Sequence, residues 1–206
     1  TYNGPRGEDI QWTSPQMQAL DAAIRNALHI IKTPVTFTDP ADGSHAVAQY
    51  DNDKGYRVVS FSSDLKSAVI EVSDSDSPPV TYLLKDGNLT LLSRAHPDID
   101  PRSLGHTQFI SYPARDGLMI PAFLTKPNPA LCGNGPWRTV IHPHGGPWSR
   151  DHMGWDWSMW PQLMTSRCMA VLQPQYRGSD GWGRRLWMAG DAEWGQKMQD
   201  DKDDGV

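Results

Sequence analysis

Thr139-Val140-Ile141-His142-Pro143-His144-Gly145-Gly146-Pro147 carries a short apolar strand directly into a loop with two adjacent glycines. Beyond it, Met159, Trp160, Leu163 and Met164 recur at helical spacing within 157–167, and Pro161 restricts that helix to begin close to it. Met169-Ala170-Val171-Leu172-Gln173-Pro174 then reads as a second buried strand. Strand, loop, helix, strand is a βαβ unit and predicts a mostly parallel sheet covered by helices. Such a sheet binds ligands beyond the carboxyl ends of its strands, so the Gly145-Gly146 loop is expected to face a site. Glycine lets backbone N–H groups approach a ligand without a Cβ in the way. Two convergent N–H donors can hold the oxyanion of an acyl-transfer intermediate, and losing one costs about 3 kcal/mol of barrier. Four residues alone suit a plain tight turn equally well.

Working outward, residues 107–112 and 118–124 flank Arg115-Asp116-Gly117, a hairpin signature. In the first half, Ser14 as N-cap and Pro15 at the first helical position predict an amphipathic helix over 15–28, with Met17, Leu20, Ile24, Ala27 and Leu28 on one face. Residues 35–37, 56–61, 67–72, 80–84 and 89–92 are short β-branched-rich runs. Polar turns such as Ser62-Ser63-Asp64 and Asp86-Gly87-Asn88 separate them. They predict antiparallel sheet, as a sandwich edge or a propeller blade. Of nine tryptophans only Trp12 precedes Trp137. That shift, with the proline-rich segment His96–Pro101, sets an expected domain boundary at 105/106.

The net charge of −5 over 206 residues, with basic residues scattered, gives no electrostatic reason to expect a nucleic-acid or membrane partner. No apolar run has the length of a membrane span. Thr1–Gly7 lacks an initiating Met and a signal-peptide core and reads as the middle of a longer chain. Cys132 and Cys168 have neither metal-ligand spacing nor disulfide-framework density, and two free thiols are favoured over one pair. Compartment is left open between cytoplasm, which is favoured, and periplasm or secretion, and oligomeric state is unassigned.

Several spaced motifs occur in one order. His144-Gly145-Gly146-Pro147 is followed by Arg150-Asp151 and Trp155-Asp156, then by Ala170-Val171-Leu172-Gln173-Pro174-Gln175-Tyr176-Arg177-Gly178-Ser179. Gly181-Trp182-Gly183-Arg184, Gly190-Asp191, Trp194-Gly195, Gln199-Asp200-Asp201 and Asp204-Gly205 continue the series. The series resembles the prolyl oligopeptidase family of serine peptidases, in particular its acylaminoacyl-peptidase and dipeptidyl-aminopeptidase-like members. The resemblance is strong over 107–206 and looser over 33–95. It implies the end of an all-β propeller-like domain over 1–105, with an N-terminal helix, and the start of an α/β-hydrolase peptidase domain over 106–206. It further implies hydrolysis of peptide or acylaminoacyl bonds through an acyl-enzyme, a peptide substrate and no cofactor. His144, Gly145 and Gly146 become the oxyanion-hole loop, and Tyr176 and Arg177 support for the active-site loops. The family's serine stands in a Gly-x-Ser-x-Gly elbow, which does not occur here. Ser149 and Ser179 lack that context and are not expected to be nucleophiles. The serine, aspartate and histidine are expected beyond Val206, leaving these residues alone inactive and poorly folded. Cys168, Met169, Gln175 and Lys202 depart from the family's pattern.

Other readings compete. His142-x-His144 with His152, Asp151 and Asp156 has metal-ligand residue types, but the Gly-Gly-Pro sequel suits backbone donors better. The run from Asp200 to Asp204 is expected as the solvated first turn of a helix. The tryptophans are expected as core and loop anchors with satisfied N–H groups, and Arg177 as a structural bond to carboxylates. A carboxylesterase would use the same oxyanion geometry, and a chain truly ending here would be a non-catalytic binding module.

Overall fold

The computed structural model describes residues 12–30 and 55–206 fully, and the backbone alone of strands within 2–9 and 32–51. Thr1, Pro5 and Arg6 of the expected mid-chain start lie outside the described residues. Strands β1 (Tyr2–Gly4) and β2 (Gly7–Asp9) pair antiparallel. Helix α1 spans Pro15–Ala27, and Leu28 closes it. Ser14 holds the cap position but makes no side-chain cap bond; its hydroxyl turns to Gln16 instead, at 2.8 Å. Strands β3 (Lys32–Thr38) and β4 (His45–Asp51) form a second two-stranded pair, with β3 covering the expected 35–37 run.

Next comes a four-stranded antiparallel meander, β5 (Gly55–Phe61), β6 (Ser67–Asp74), β7 (Ser77–Lys85) and β8 (Asn88–Arg94), paired in chain order. Leu20 and Ile24 of α1, with Leu28 just beyond it, pack on Ala68 and Ile70 of β6 and Leu84 of β7, burying the middle of one face of this sheet. The turn residues behave as turns. Asp86 and Gly87 both have positive φ, which a two-residue hairpin loop with the right twist requires. The Ser62 hydroxyl and the Asp64 carboxylate accept bonds from the nearby Ser67 and Lys66 N–H groups.

The remaining elements are β9 (His106–Pro113), β10 (Met119–Lys126), α2 (Pro129–Cys132), β11 (Arg138–Ile141), α3 (Trp160–Thr165), β12 (Met169–Pro174), α4 (Arg184–Met188) and α5 (Lys197–Asp203). Their sheet has the order β11-β12-β10-β9. Only β11 and β12 are parallel, whereas β12–β10 and β10–β9 are antiparallel, so the sheet is mixed rather than mostly parallel. A tight turn at Asp116-Gly117 can only return the chain antiparallel, while the connection through α3 is long enough to cross over. Ile120, Ala122 and Phe123 of β10 and Ala170, Val171 and Leu172 of β12 are buried apolar residues of this sheet.

Gln162 ties the two larger sheets together. Its Nε2 donates to the carbonyls of Ser75 (2.5 Å) and Gly105 (3.0 Å), and its Oε1 accepts from the Gly105 N–H (2.8 Å). A Cβ at Gly105 would stand 2.6 Å from the Lys126 carbonyl oxygen, so this close seam needs glycine.

Cys132 and Cys168 are joined in a disulfide, which corrects the expectation of two free thiols. The reason is topological. Arg138 pairs with Met169 where the parallel strands begin, and that brings the segments entering both strands together. Cys168 has φ +60°, the left-handed conformation that its departure from glycine called into question. Across a separation of 36 residues, chain-entropy reasoning assigns such a bond roughly 3–4 kcal/mol. Replacing both cysteines by serine should therefore lower unfolding stability by that order in denaturant titration, and an unchanged midpoint would count against the bond.

Candidate active site

Because β11 and β12 are parallel neighbours, the loops that leave their carboxyl ends lie side by side. The His142 N–H donates to the Leu172 carbonyl (2.8 Å), extending the ladder to the edge of the loop. The Tyr176 hydroxyl donates to the His144 carbonyl at 2.9 Å, and the His144 and Tyr176 rings stack with centroids 4.6 Å apart. Gly146 has φ +125°, and a Cβ there would come within 2.8 Å of the Trp148 nitrogen. Among the described residues no acceptor meets the backbone N–H of Gly145 or Gly146. Both glycines are exposed.

His144 Nε2 lies 2.8 Å from the Ser179 hydroxyl, a separation that a nucleophile and its base would also show. Ser179, however, has 0% exposure and its hydroxyl also reaches the Tyr176 carbonyl at 2.6 Å. A substrate carbonyl has no approach to it. Ser149 is exposed, with its N–H on the Pro147 carbonyl and its own carbonyl accepting from Asp180 N–H.

Arg177 is buried between two carboxylates. It donates from Nε (2.8 Å) and Nη2 (2.7 Å) to Asp201, and from Nη1 (2.9 Å) and Nη2 (3.0 Å) to Asp116. Its backbone N–H also donates to Asp201 (2.9 Å), and the Tyr112 hydroxyl donates to the Asp201 carbonyl (2.6 Å). The hydrogen bond from Arg177 is the main cause that holds the Asp116 carboxyl down at about 2. Every guanidinium bond is thus made to protein carboxylates.

The acidic run differs from expectation. Only Asp200 lies in the first turn of α5; Asp201 is fully buried against Arg177, and Asp204 caps the C-terminus, paired with Arg115 at 2.8 Å. Two arginines supplied by distant segments draw the run inward, and a sequence window cannot show them. Lys202, a departure from the family's pattern, sets its Nζ 4.3 Å from the Tyr176 ring centroid.

Gln175, another departure, is buried with its amide fully used. Its Oε1 accepts from the Asp151 N–H (3.0 Å) and the Trp182 indole (3.3 Å), and its Nε2 donates to Asp151 Oδ2 (3.2 Å) and the Gln173 carbonyl (3.3 Å). Burial is the main cause that pushes Asp151 up to about 6, with the charge of Asp156 adding to it. His144 and His152 are both lowered, chiefly by burial. Among the described residues no three His, Cys, Asp or Glu side chains are grouped to hold a metal ion.

The tryptophans depart from the expected anchoring role. Trp137 and Trp182 do donate to the Cys132 carbonyl and the Gln175 amide. Trp148, Trp157, Trp160, Trp187 and Trp194 are exposed, Trp157 by 91%. Trp160 and Trp187 stand on α3 and α4 and the other three on loops, where Trp148 and Trp194 meet with ring centroids 5.8 Å apart.

No protein-family model matches the chain. It is similar to a structure of a puromycin-hydrolyzing peptidase from Mycobacterium tuberculosis, at 21% identity and TM-score 0.57, over 68% of this chain and 22% of that one. This likeness shows a fold shared with a segment of that protein. Among curated proteins it is 32% identical to dipeptidyl peptidase family member 6 of Caenorhabditis elegans, over 72% of this chain and 23% of that protein. It is 33% identical to dipeptidyl aminopeptidase BIII of Pseudoxanthomonas mexicana, over 69% of this chain and 22% of that one. The chain belongs to the prolyl oligopeptidase family, and it spans under a quarter of the length of these curated relatives.

Two outcomes follow from the buried charges. Arg177→Met leaves Asp201 buried without a counter-charge and should cost about 3–5 kcal/mol in denaturant unfolding. Adding Asp201→Leu should restore much of that loss. Asp151 titrates higher in the fold than in the unfolded chain, so its protonated form stabilises the fold below pH ~4 and that contribution disappears as pH rises through about 6. Asp151→Asn should remove this slope from a plot of melting temperature against pH. A slope unchanged in the variant would assign it to another group.

Proposed function

We propose that this chain is part of a serine-type peptidase that cleaves peptide or acylaminoacyl bonds through an acyl-enzyme. The observation that carries the reading is the pair of backbone donors at Gly145 and Gly146, which meet no acceptor among the described residues, where two parallel strands end. Family membership and the names of its relatives support it. In this reading residues 106–206 begin an α/β-hydrolase domain, and residues 1–105 are the end of a propeller-like domain. The meander β5–β8 supplies one blade-like sheet.

The chemistry assigned to this chain is electrostatic. As a nucleophile adds to the scissile carbonyl, negative charge gathers on the oxygen, and a fixed N–H dipole at that place lowers the barrier without reorganising. The second donor would come from the residue after the nucleophile. No Gly-x-Ser-x-Gly occurs in the 206 residues. Serine, aspartate and histidine are therefore assigned to other parts of the protein, and the residues here to binding and charge stabilisation. His144 and Tyr176 shape the loop, and Arg177 holds the second loop from behind.

Carboxylester hydrolysis uses the same donors, and the choice between the two is made by assay. The complete protein should hydrolyse aminoacyl-amide substrates, and activity confined to short esters would overturn the peptidase reading. Gly146→Ala places a Cβ against the Trp148 nitrogen at a φ that alanine resists. It should lower kcat about 100-fold with little change in KM, because the donor acts on the transition state rather than the ground state.

A further inference from the structure

A trans peptide is planar, so its C=O and N–H point in opposite directions. Whatever fixes the Gly145 carbonyl therefore aims the Gly146 N–H. That carbonyl lies 2.7 Å from His144 Nδ1 and 3.5 Å from the Tyr176 hydroxyl. A carbonyl oxygen only accepts, so Nδ1 carries the proton, and in the neutral ring Nε2 is then an acceptor. Ser179 supplies the matching donor at 2.8 Å.

We propose that Ser179 is a positioning residue for the oxyanion donor: it holds the His144 ring so that Nδ1 pins the Gly145 carbonyl and the Gly146 N–H faces the open ends of β11 and β12. This inference rests on the peptidase reading above. Ser179 touches no substrate and acts through His144.

The surroundings fit a fixed relay. Ser179 is fully buried, and its N–H donates to the Tyr176 carbonyl (2.9 Å), which closes the turn that presents the hydroxyl. The ring is stacked on Tyr176, so it can neither tilt nor swing without losing the stack and both nitrogen contacts. The Ser179 hydroxyl has a second acceptor, the Tyr176 carbonyl at 2.6 Å. When His144 gains a proton, the hydroxyl rotates to that carbonyl and its oxygen accepts from Nε2–H. The ring keeps both contacts in either charge state. The charged and titratable groups facing His144 and Tyr176 are Lys202, Arg150, His152 and Asp151. Burial is the main cause that opposes protonation of His144, and the positive charges of Lys202 and Arg150, with His152 when it is protonated, add to it.

Ser179→Ala removes the only side chain bonded to His144 Nε2 among the described residues. In the complete protein it should lower kcat on an aminoacyl-amide substrate about tenfold, less than full loss of a donor, with KM within about twofold. Affinity for a peptide aldehyde, whose tetrahedral adduct places an oxyanion in the hole, should fall in parallel. Affinity for a product peptide should not change. The variant should also gain an acid-side loss of kcat, since nothing then accepts from a protonated Nε2. If Ser179→Ala does not fold cooperatively, His144→Phe keeps the stack on Tyr176, removes both nitrogens, and should lower kcat at least as far with the same KM. Unchanged kcat in a folded variant, or equal losses of aldehyde and product affinity, overturns the inference. A folded wild-type protein without amidase activity overturns the functional reading and this inference with it, whereas an active wild type with an unaffected Ser179→Ala overturns this inference alone.

Discussion

The buried bond between Arg177 and Asp201 is the constraint on which the rest of the second half depends. Neither charge can be enclosed without the other, because an isolated ion in a protein interior carries a desolvation cost of several kcal/mol. Arg177 follows β12, Asp201 lies on α5, and Asp116 caps the hairpin between β9 and β10. One guanidinium thus joins three distant segments, and its planar fork fixes their relative orientation as well as their proximity. Close packing follows from it. A Cβ at Gly178 would meet Met198 of α5, and one at Gly190 would meet the Gly178 backbone.

With that loop held from behind, its front surface can be shaped for chemistry. Tyr176 offers its ring to His144 on one side and to the Lys202 ammonium on the other. Orientation passes from the ion cluster to the second loop, and from there to the first. The donors at Gly145 and Gly146 need no side chain of their own, since their neighbours' carbonyls are the groups that are held. A backbone site of this kind places its sequence requirement on residues one shell away.

Features set by neighbouring residues were legible, and features set by distant ones were not. The periodicity of 15–28 and the β-branched runs at 56–61, 67–72, 80–84 and 89–92 sit where α1 and β5–β8 formed. In α1, β6 and β7 the pattern buries part of one local element, whereas β8 leaves Leu91 and Leu92 exposed. β4 escaped notice: Ala46-Val47-Ala48 carries a single β-branched residue. The disulfide escaped because its closeness is a property of the β11–β12 register. The acidic run was misplaced for the same reason, since the pull of Arg177 and Arg115 arrives from segments far along the chain. Sheet direction was read from one βαβ unit, and the hairpin beside it added two antiparallel pairs. In the candidate site, the two loops were visible as motifs, whereas the His144–Ser179 contact was visible only in space.

Cys168 sits in a conformation that costs a residue with a Cβ roughly 1–2 kcal/mol relative to glycine. While the disulfide holds, that cost is offset, because the same backbone geometry carries the sulfur to Cys132. Once the bond is reduced, the corner keeps the unfavourable dihedral and loses its compensation. The thiol state therefore decides whether position 168 contributes to the fold or opposes it, and the start of β12 inherits a sensitivity to redox conditions that a glycine at this position would never confer.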